Sequence, residues 1–270
     1  MTKPAKPTQY LEIASRLRDR IASGDLKPGD DLPSGNELAE EFGVARNTAA
    51  RALDLLRAEG LIASSQGARS VVRDQPQMLH LATGENFRER QATGKANDVA
   101  EAEAQGLGGK PDLLSVESVP APPEVAERFG IKPGTPVLVR VQLLRARRKG
   151  ADTEVALFEP MKVMRCYYEH AFADGTRLAE PRLISGGLAN LIEAQDGPFR
   201  RAIGKFVEDV EVRVPAPDEA DQLLIPPGVP IARILRTMYD VDGKPLEVID
   251  SVLPGDRYRL RYVIAVPEKP

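Results

Sequence analysis

Apolar residues in the first quarter of the chain recur at the three- and four-residue intervals of amphipathic helices. Tyr10, Ile13, Ala14, Leu17 and Ile21 form one stripe, ended by Gly24. Beyond Leu32-Pro33, the apolar side formed by Leu38, Ala39 and Phe42 predicts a short helix. Ser34 and Glu37 before it have the spacing of a capping box, in which each side chain satisfies a backbone amide of the other residue. Gly43 stops that helix where a left-handed cap is needed, because it has no Cβ to clash. Ala49, Ala52, Leu53 and Leu56 predict a third helix from Ala45 or Arg46 to about Glu59, closed by Gly60. Residues 61–64 and 70–73 then read as two short strands around a turn at 65–69. Three helices and a small hairpin make a winged helix-turn-helix.

The polar face of the third helix carries Arg46, Asn47, Thr48 and Arg51. Arginine can pair bidentately with guanine and asparagine with adenine, while threonine and backbone amides hold phosphates. In helix-turn-helix proteins the first residues of the second helix of the motif reach the base edges. The competing reading is a plain helical hairpin with a solvated face; the flanking stripe and hairpin favour the first. Ser34 and Asn36 at the start of the second helix, with Gln66, Gly67 and Arg69 in the wing, complete the candidate contacts to double-stranded DNA. Arg69 stands where a cation can enter the minor groove or grip phosphate.

The later chain contains a duplication. Residues 119–146 and 214–240 each open with Val-Pro-Ala-Pro, make a short helix, turn at Pro-Gly-x-Pro and enter an apolar strand. Gly134 and Gly228 are the turn glycines, Pro136 and Pro230 the strand-entry prolines. A spacing of about 95 residues is too long for a solenoid repeat. Asp242-Gly243 marks a hairpin, and a final strand is expected from Tyr258 to Val266. Residues 98–110 suggest a helix with its stop in Gly-Leu-Gly-Gly. An antiparallel sheet with helices against one side fits this pattern, so the fold class is α+β.

Length adds a division into domains. The 270 residues suit two domains: a DNA-binding domain at 1–74, a polar linker at 75–85, and a second domain at 86–270. No apolar run approaches the roughly 20 residues that span a bilayer, and the N-terminus lacks the apolar core of a signal peptide. A cytoplasmic protein without a membrane partner is expected. Cys166 is the single cysteine, which rules out an internal disulfide and reads as a buried thiol rather than a catalytic one. With only His80 and His170 besides, no metal site and no cofactor are expected. Charge is less decisive. The chain has 37 Lys+Arg and 40 Asp+Glu, and residues 1–74 hold 11 of each sign. A DNA-binding domain usually carries a basic excess, so the case rests on where the arginines point.

The run from Ile21 to Gly67 closely resembles the N-terminal domain of the GntR family of bacterial transcription regulators. The shared residues are Gly24, Pro28 and Gly29, Leu32-Pro33-Ser34, Glu37-Leu38-Ala39, Gly43-Val44, Arg46 with Thr48, Glu59-Gly60-Leu61, and Gln66-Gly67. The chain departs from the usual pattern at Gly35-Asn36, Ala45, Ala50 and Ala68, which leaves the operator sequence open. Residues 85–266 resemble the UTRA ligand-sensing domain of the HutC subfamily. This match is carried by Tyr239-Asp240, Asp242-Gly243, Pro245, Glu247, Ser251 and Gly255-Asp256-Arg257-Tyr258-Arg259, with Arg145 and Arg147 matching a two-arginine feature. The resemblance implies a chorismate-lyase-like fold that binds a small-molecule effector and forms a homodimer.

For an anionic effector, Arg145 and Arg147 are the candidate cations, two apart on a strand and so on one face. Glu247 could accept hydroxyls of a sugar. Ser185, followed by Gly186-Gly187 before a helix at 188–193, could form an anion nest. A solvated strand edge beside Arg148 and Lys149, and a plain Gly-Gly turn, are the alternatives. Leu253 stands where relatives often place a tyrosine, which argues against a standard phosphosugar. The expected function is a repressor released from a palindromic operator by its effector, not an enzyme. The alternatives are an enzyme with a lyase-like second domain and a DNA-binding protein without an effector.

Overall fold

A computed structural model describes residues 9–63, 69–73, 78–81, 84, 86–148 and 158–264. Contacts divide the chain into two compact units. One holds Met1–Gln75 with Val214–Ala220 and Leu224–Pro230; the other holds Pro76–Arg213, Asp221–Leu223 and Ile231–Pro270.

The N-terminal part of the first unit follows the apolar stripes. Helices α1 (Gln9–Ser23), α2 (Gly35–Phe42) and α3 (Arg46–Ala58) precede an antiparallel pair, β1 (Ile62–Ala63) and β2 (Val71–Val72), with Ile62 opposite Val72. Ile13, Leu17, Leu38, Ala49, Ala52, Leu53 and Leu56 meet in one core. Burying a leucine fully stabilises by roughly 1.5–3 kcal/mol, and Leu38 and Leu56 are both completely buried. Ser34 and Glu37 form the expected capping box, and Gly43 caps α2 at φ 61°. Arg18 on α1 grips Glu59, just past α3, with two hydrogen bonds of 3.0 and 2.7 Å. The two strands are shorter than the sequence suggests. The turn with Gln66 and Gly67 lies outside the described residues.

The remaining elements, in chain order, are β3 (Met78–Leu81), α4 (Phe87–Ala92), α5 (Asn97–Ala104), β4 (Leu107–Pro120), α6 (Pro123–Phe129), β5 (Pro136–Arg148) and β6 (Glu159–Glu169). Then come α7 (His170–Ala173), α8 (Leu188–Glu193), β7 (Ile203–Arg213), α9 (Pro217–Leu223), β8 (Ile231–Asp240), β9 (Pro245–Pro254) and β10 (Tyr258–Arg261). Six strands form one antiparallel sheet in the order β4-β5-β6-β9-β8-β7. The duplication is visible in that order. Strand–helix–strand–strand occurs as β4-α6-β5-β6 and again as β7-α9-β8-β9, and the halves meet where β6 pairs with β9.

Three expectations need correction. Helices cover both faces of the sheet, not one. Ala121, Val125, Ala126 and Phe129, in and beside α6, pack on Val137, Val139, Tyr167, Leu235 and Val248. On the other face, Leu138, Met164, Cys166, Tyr168 and Ile249 pack on Ala173 and Leu191, while Leu144 and Ala146 meet Ala102 of α5. Next, the stretch read as linker contains β3, which pairs in parallel with β10, so the final strand ends at Arg261 and lies outside the large sheet. Its polar flanks hid it. Finally, only the first of the glycines read as a helix stop acts as one: Gly106, at φ 76°, follows the end of α5, whereas Gly108 and Gly109 already lie in β4 and pair with Arg147 and Ala146.

Candidate nucleic-acid interface and ligand cavity

The N-terminal residues of α3 are presented as its stripe requires. Ala49, Ala52, Leu53 and Leu56 are buried, so Arg46, Asn47 and Arg51 are exposed and Thr48 is half-buried. Ala45 caps the helix without a side-chain hydrogen bond, leaving the first amides of α3 without a local side-chain acceptor. Arg51 lays its guanidinium over the Tyr10 ring, 4.5 Å from the centroid, which fixes its base while the residue stays exposed. At α2, Ser34 Oγ accepts from the Glu37 amide at 3.2 Å, and the Ser34 amide donates to Glu37 Oε2 at 2.7 Å. Those hydrogen bonds, with Arg69 close by, hold the Glu37 carboxyl below its ordinary value. Arg69 Nη2 reaches Glu37 Oε1 at 2.8 Å, tying the wing strand to the cap of α2. Asn36 is exposed beside them. The structure therefore joins Ser34 and Arg69 through Glu37, with Asn36 next in the chain, and gathers Arg46, Asn47, Thr48 and Arg51 on one helix.

In the second unit, a cavity of about 120 Å³ lies against the sheet face opposite α6. The strands contribute Gln142, Met164, Cys166, Tyr168, Arg236, Met238, Glu247 and Ile249; its roof is Lys95–Asp98 at the start of α5 and residues 183–184 and 186–190. Glu247 is 1% exposed. Tyr168 donates its phenol proton to Glu247 Oε1, and Arg236 stands 3.7 Å from Oε2. Burial pushes the Glu247 carboxyl above its ordinary value, against the pull of Arg236 and the Tyr168 hydrogen bond. Burial, reinforced by the Glu247 charge, pushes the Tyr168 phenol well up. Asp98 pairs with Lys162. Burial alone would raise Asp98, but the Lys162 ammonium outweighs it and holds the carboxyl low. Burial also pushes the Cys166 thiol well up, so it is a poor nucleophile.

The roof is set by one buried cation. Arg140, fully buried, donates to the carbonyls of Leu178, Glu180 and Arg182 at 2.6, 2.8 and 2.5 Å. That anchors the chain just before the roof segment. Gly187 then passes so close to α5 that a Cβ there would stand 2.8 Å from the Lys95 carbonyl, and its φ of +81° also favours glycine. Close approach explains this glycine better than an anion nest does.

Of the residues singled out for a ligand, Glu247 lines the cavity, and Ser185 lies between lining residues without being one. Arg145 and Arg147 are elsewhere. β5 runs without interruption against β4 from Gln142 to Arg148, so alternation puts Gln142 on the cavity face and Arg145 and Arg147 on the other. Arg145 pairs with Asp112 at 2.9 Å, and Arg147 covers Phe158 at 4.6 Å. Sequence reading missed Arg236, Tyr168, Asp98 and Arg140. A signal existed for two of them, since Arg140 interrupts the apolar run Val137–Val141 and Arg236 the run Ile234–Met238.

The other end of α5 holds β3. Gln105, its C-cap, accepts from the Leu79 amide at 2.6 Å and donates to the Leu79 carbonyl at 2.7 Å, completing a strand-like pair with a side chain. Glu101 stands 3.4 Å from His80 Nδ1. Among the described residues no cluster of ligating side chains could hold a metal ion, and no helix is long and apolar enough to cross a membrane.

Comparison with known proteins agrees with both halves. The pattern of the bacterial regulatory proteins, gntR family, matches residues 9–72, and that of the UTRA domain matches residues 104–259. An uncharacterized HTH-type transcriptional regulator of Streptomyces coelicolor is 28% identical over 272 residues, covering 97% of this chain and 95% of that protein. The HTH-type transcriptional repressor NagR of Bacillus subtilis is 27% identical over 249 residues, covering 92% and 91%. The crystal structure of a GntR-family transcriptional regulator superposes with a TM-score of 0.60 at 27% identity, over 97% of this chain and 99% of that one. With a helix-turn-helix head and a sensing domain both matched, the chain belongs to the GntR family of bacterial regulatory proteins, a UTRA-containing transcription regulator and not an enzyme.

Proposed function

We propose that this regulator is a homodimeric repressor of the HutC subfamily, acting in the cytoplasm and released from a palindromic operator when an effector fills the cavity beneath α5. Arg46, Asn47, Thr48 and Arg51 read the major groove. Ser34, Asn36 and the wing residues Gln66, Gly67 and Arg69 hold the backbone on either side. The domains are 1–74 for DNA and 86–270 for sensing, and the connecting residues 75–85 carry β3.

The observation that carries this reading is the double attachment of α5. Its first turn roofs the cavity, and its last turn holds β3 through Gln105. β3 begins at Met78, five residues after Arg73 of the wing segment. A ligand that shifts α5 thus acts on the strand that leads directly from the DNA-binding domain. A coupling of roughly 1–3 kcal/mol, or about 5–150-fold in operator affinity, is usual for such linkage, and DNA must weaken ligand binding by the same factor.

The test is operator titration by mobility shift, with and without a ligand found by thermal shift, in wild type and Gln105→Leu. The variant is expected to bind DNA and ligand but to lose most of the coupling. Unchanged coupling would remove α5 from the mechanism, and a ligand that never alters operator affinity would remove the effector.

A further inference from the structure

Resting on the reading of the α5 cavity as an effector site, the pattern of charges on its wall says what kind of molecule it takes. Each cation there already faces a carboxylate: Lys95 is paired with Glu103 and Arg236 faces Glu247, while Asp98 of the wall pairs with Lys162. The α5 N-terminus would favour an anion, but Asp98 already sits in its first turn. Arg145 and Arg147 are on the far face of β5. A phosphate brought into this space would add charge to a low-dielectric compartment whose cations are committed, at a large desolvation cost.

The Glu247 carboxylate, though it faces Arg236, keeps one oxygen without a hydrogen bond. Glu247 is 1% exposed, and its Oε2 accepts no hydrogen bond although Oε1 accepts from Tyr168. A buried acceptor left in this state is costly and calls for a donor. The cavity, at about 120 Å³, is a little smaller than the ~150 Å³ that admits a benzene ring, so the occupant has the size of one small ring or a short chain. Met164, Met238 and Ile249 offer it apolar contact.

We propose that the cavity takes a small uncharged molecule bearing hydroxyl groups, one of which donates to Glu247 Oε2, and that it rejects the phosphorylated form of the same compound. An ammonium would also satisfy Glu247, but it would sit beside Arg236 and suffer like-charge repulsion. Discrimination comes mainly from exclusion, because a pocket with balanced internal ion pairs penalises any net charge brought into it.

The experiment is calorimetric titration of the full chain with a panel of small polyols and pentoses (erythritol, ribose, myo-inositol), each beside its monophosphate, with inorganic phosphate and ethanolamine as charged probes. At least one uncharged compound is expected to bind, about tenfold or more tighter than its phosphate, and to lose about tenfold or more in Glu247→Gln. Tighter binding of a monophosphate or inorganic phosphate, binding of ethanolamine alone, or binding of none of the panel would overturn the proposal. The wild-type comparison decides even if the variant does not fold. Operator release is measured separately. A polyol that binds with the expected preference but leaves operator affinity unchanged supports the ligand class and defeats the effector reading. Operator release by the phosphates alone does the reverse.

Discussion

The two sites of this protein are built in opposite ways. The candidate DNA-reading residues cluster within the first turns of α3, exposed, on a helix whose other face is buried. The cavity wall runs from Gln91 to Ile249 in sequence and is assembled from strands, helix ends and a loop held by a buried arginine. A reading surface needs only a rigid helix with the right face outward. A pocket that excludes water needs groups from many parts of the chain, each with its charge balanced. Changes in the first should alter binding without altering the fold; changes in the second should rarely be so clean.

The sharpest test of that contrast is Arg140→Met. It leaves three carbonyls of residues 178–182 without their donor, and with about 1–3 kcal/mol for each buried group left unsatisfied, a loss of about 3 kcal/mol or more is expected. Thermal unfolding and ligand binding should both suffer, while a folded sample should still bind operator. Intact ligand binding would mean that the roof does not depend on this anchor.

Next in size is Arg46→Ala, expected to cost roughly 1–3 kcal/mol in operator affinity at fixed salt and to flatten sequence preference. The melting temperature should stay put because the residue is exposed. An unchanged mobility shift would remove Arg46 from the interface.

Glu247→Gln probes the cavity by pH. The folded state holds the Glu247 proton more tightly than the unfolded chain does, because burial raises the carboxyl. Its contribution is therefore full below the ordinary carboxyl range and is lost as pH rises through the folded value. As pH rises above the ordinary carboxyl value of about 4, wild-type stability should decline relative to the variant, and parallel profiles would show that the carboxyl is not raised. The smallest effect is expected from Arg145→Ala. It breaks a partly exposed ion pair with Asp112 worth at most about 1 kcal/mol, and the ligand response should survive. Loss of that response would return Arg145 to the site.

The same contrast explains what could be read from the chain. The amphipathic period of α3 assigns every residue to a face, so Arg46 and Asn47 were legible as outward and Leu53 and Leu56 as inward. The strands of the second unit carry little such information. β6, β8 and β9 are buried along most of their length, so their sequences do not announce which face holds a cavity. Two arginines at alternate positions of β5 declare a shared face, but not which one. The duplicated Val-Pro-Ala-Pro segments were legible as a repeat, whereas the meeting of β6 and β9 at its centre depends on pairing between distant strands.

By itself the sequence determined the helical head, its caps, the outward face of its third helix and the doubled α+β plan, because each rests on spacing within a few residues or on local turn chemistry. Tertiary structure alone decided that helices cover both faces of the sheet, that Arg145 turns away while Arg236 faces Glu247, and that α5 touches the cavity and β3 at once. Those outcomes follow from strand register and from the matching of buried charges across the fold, which no local pattern encodes.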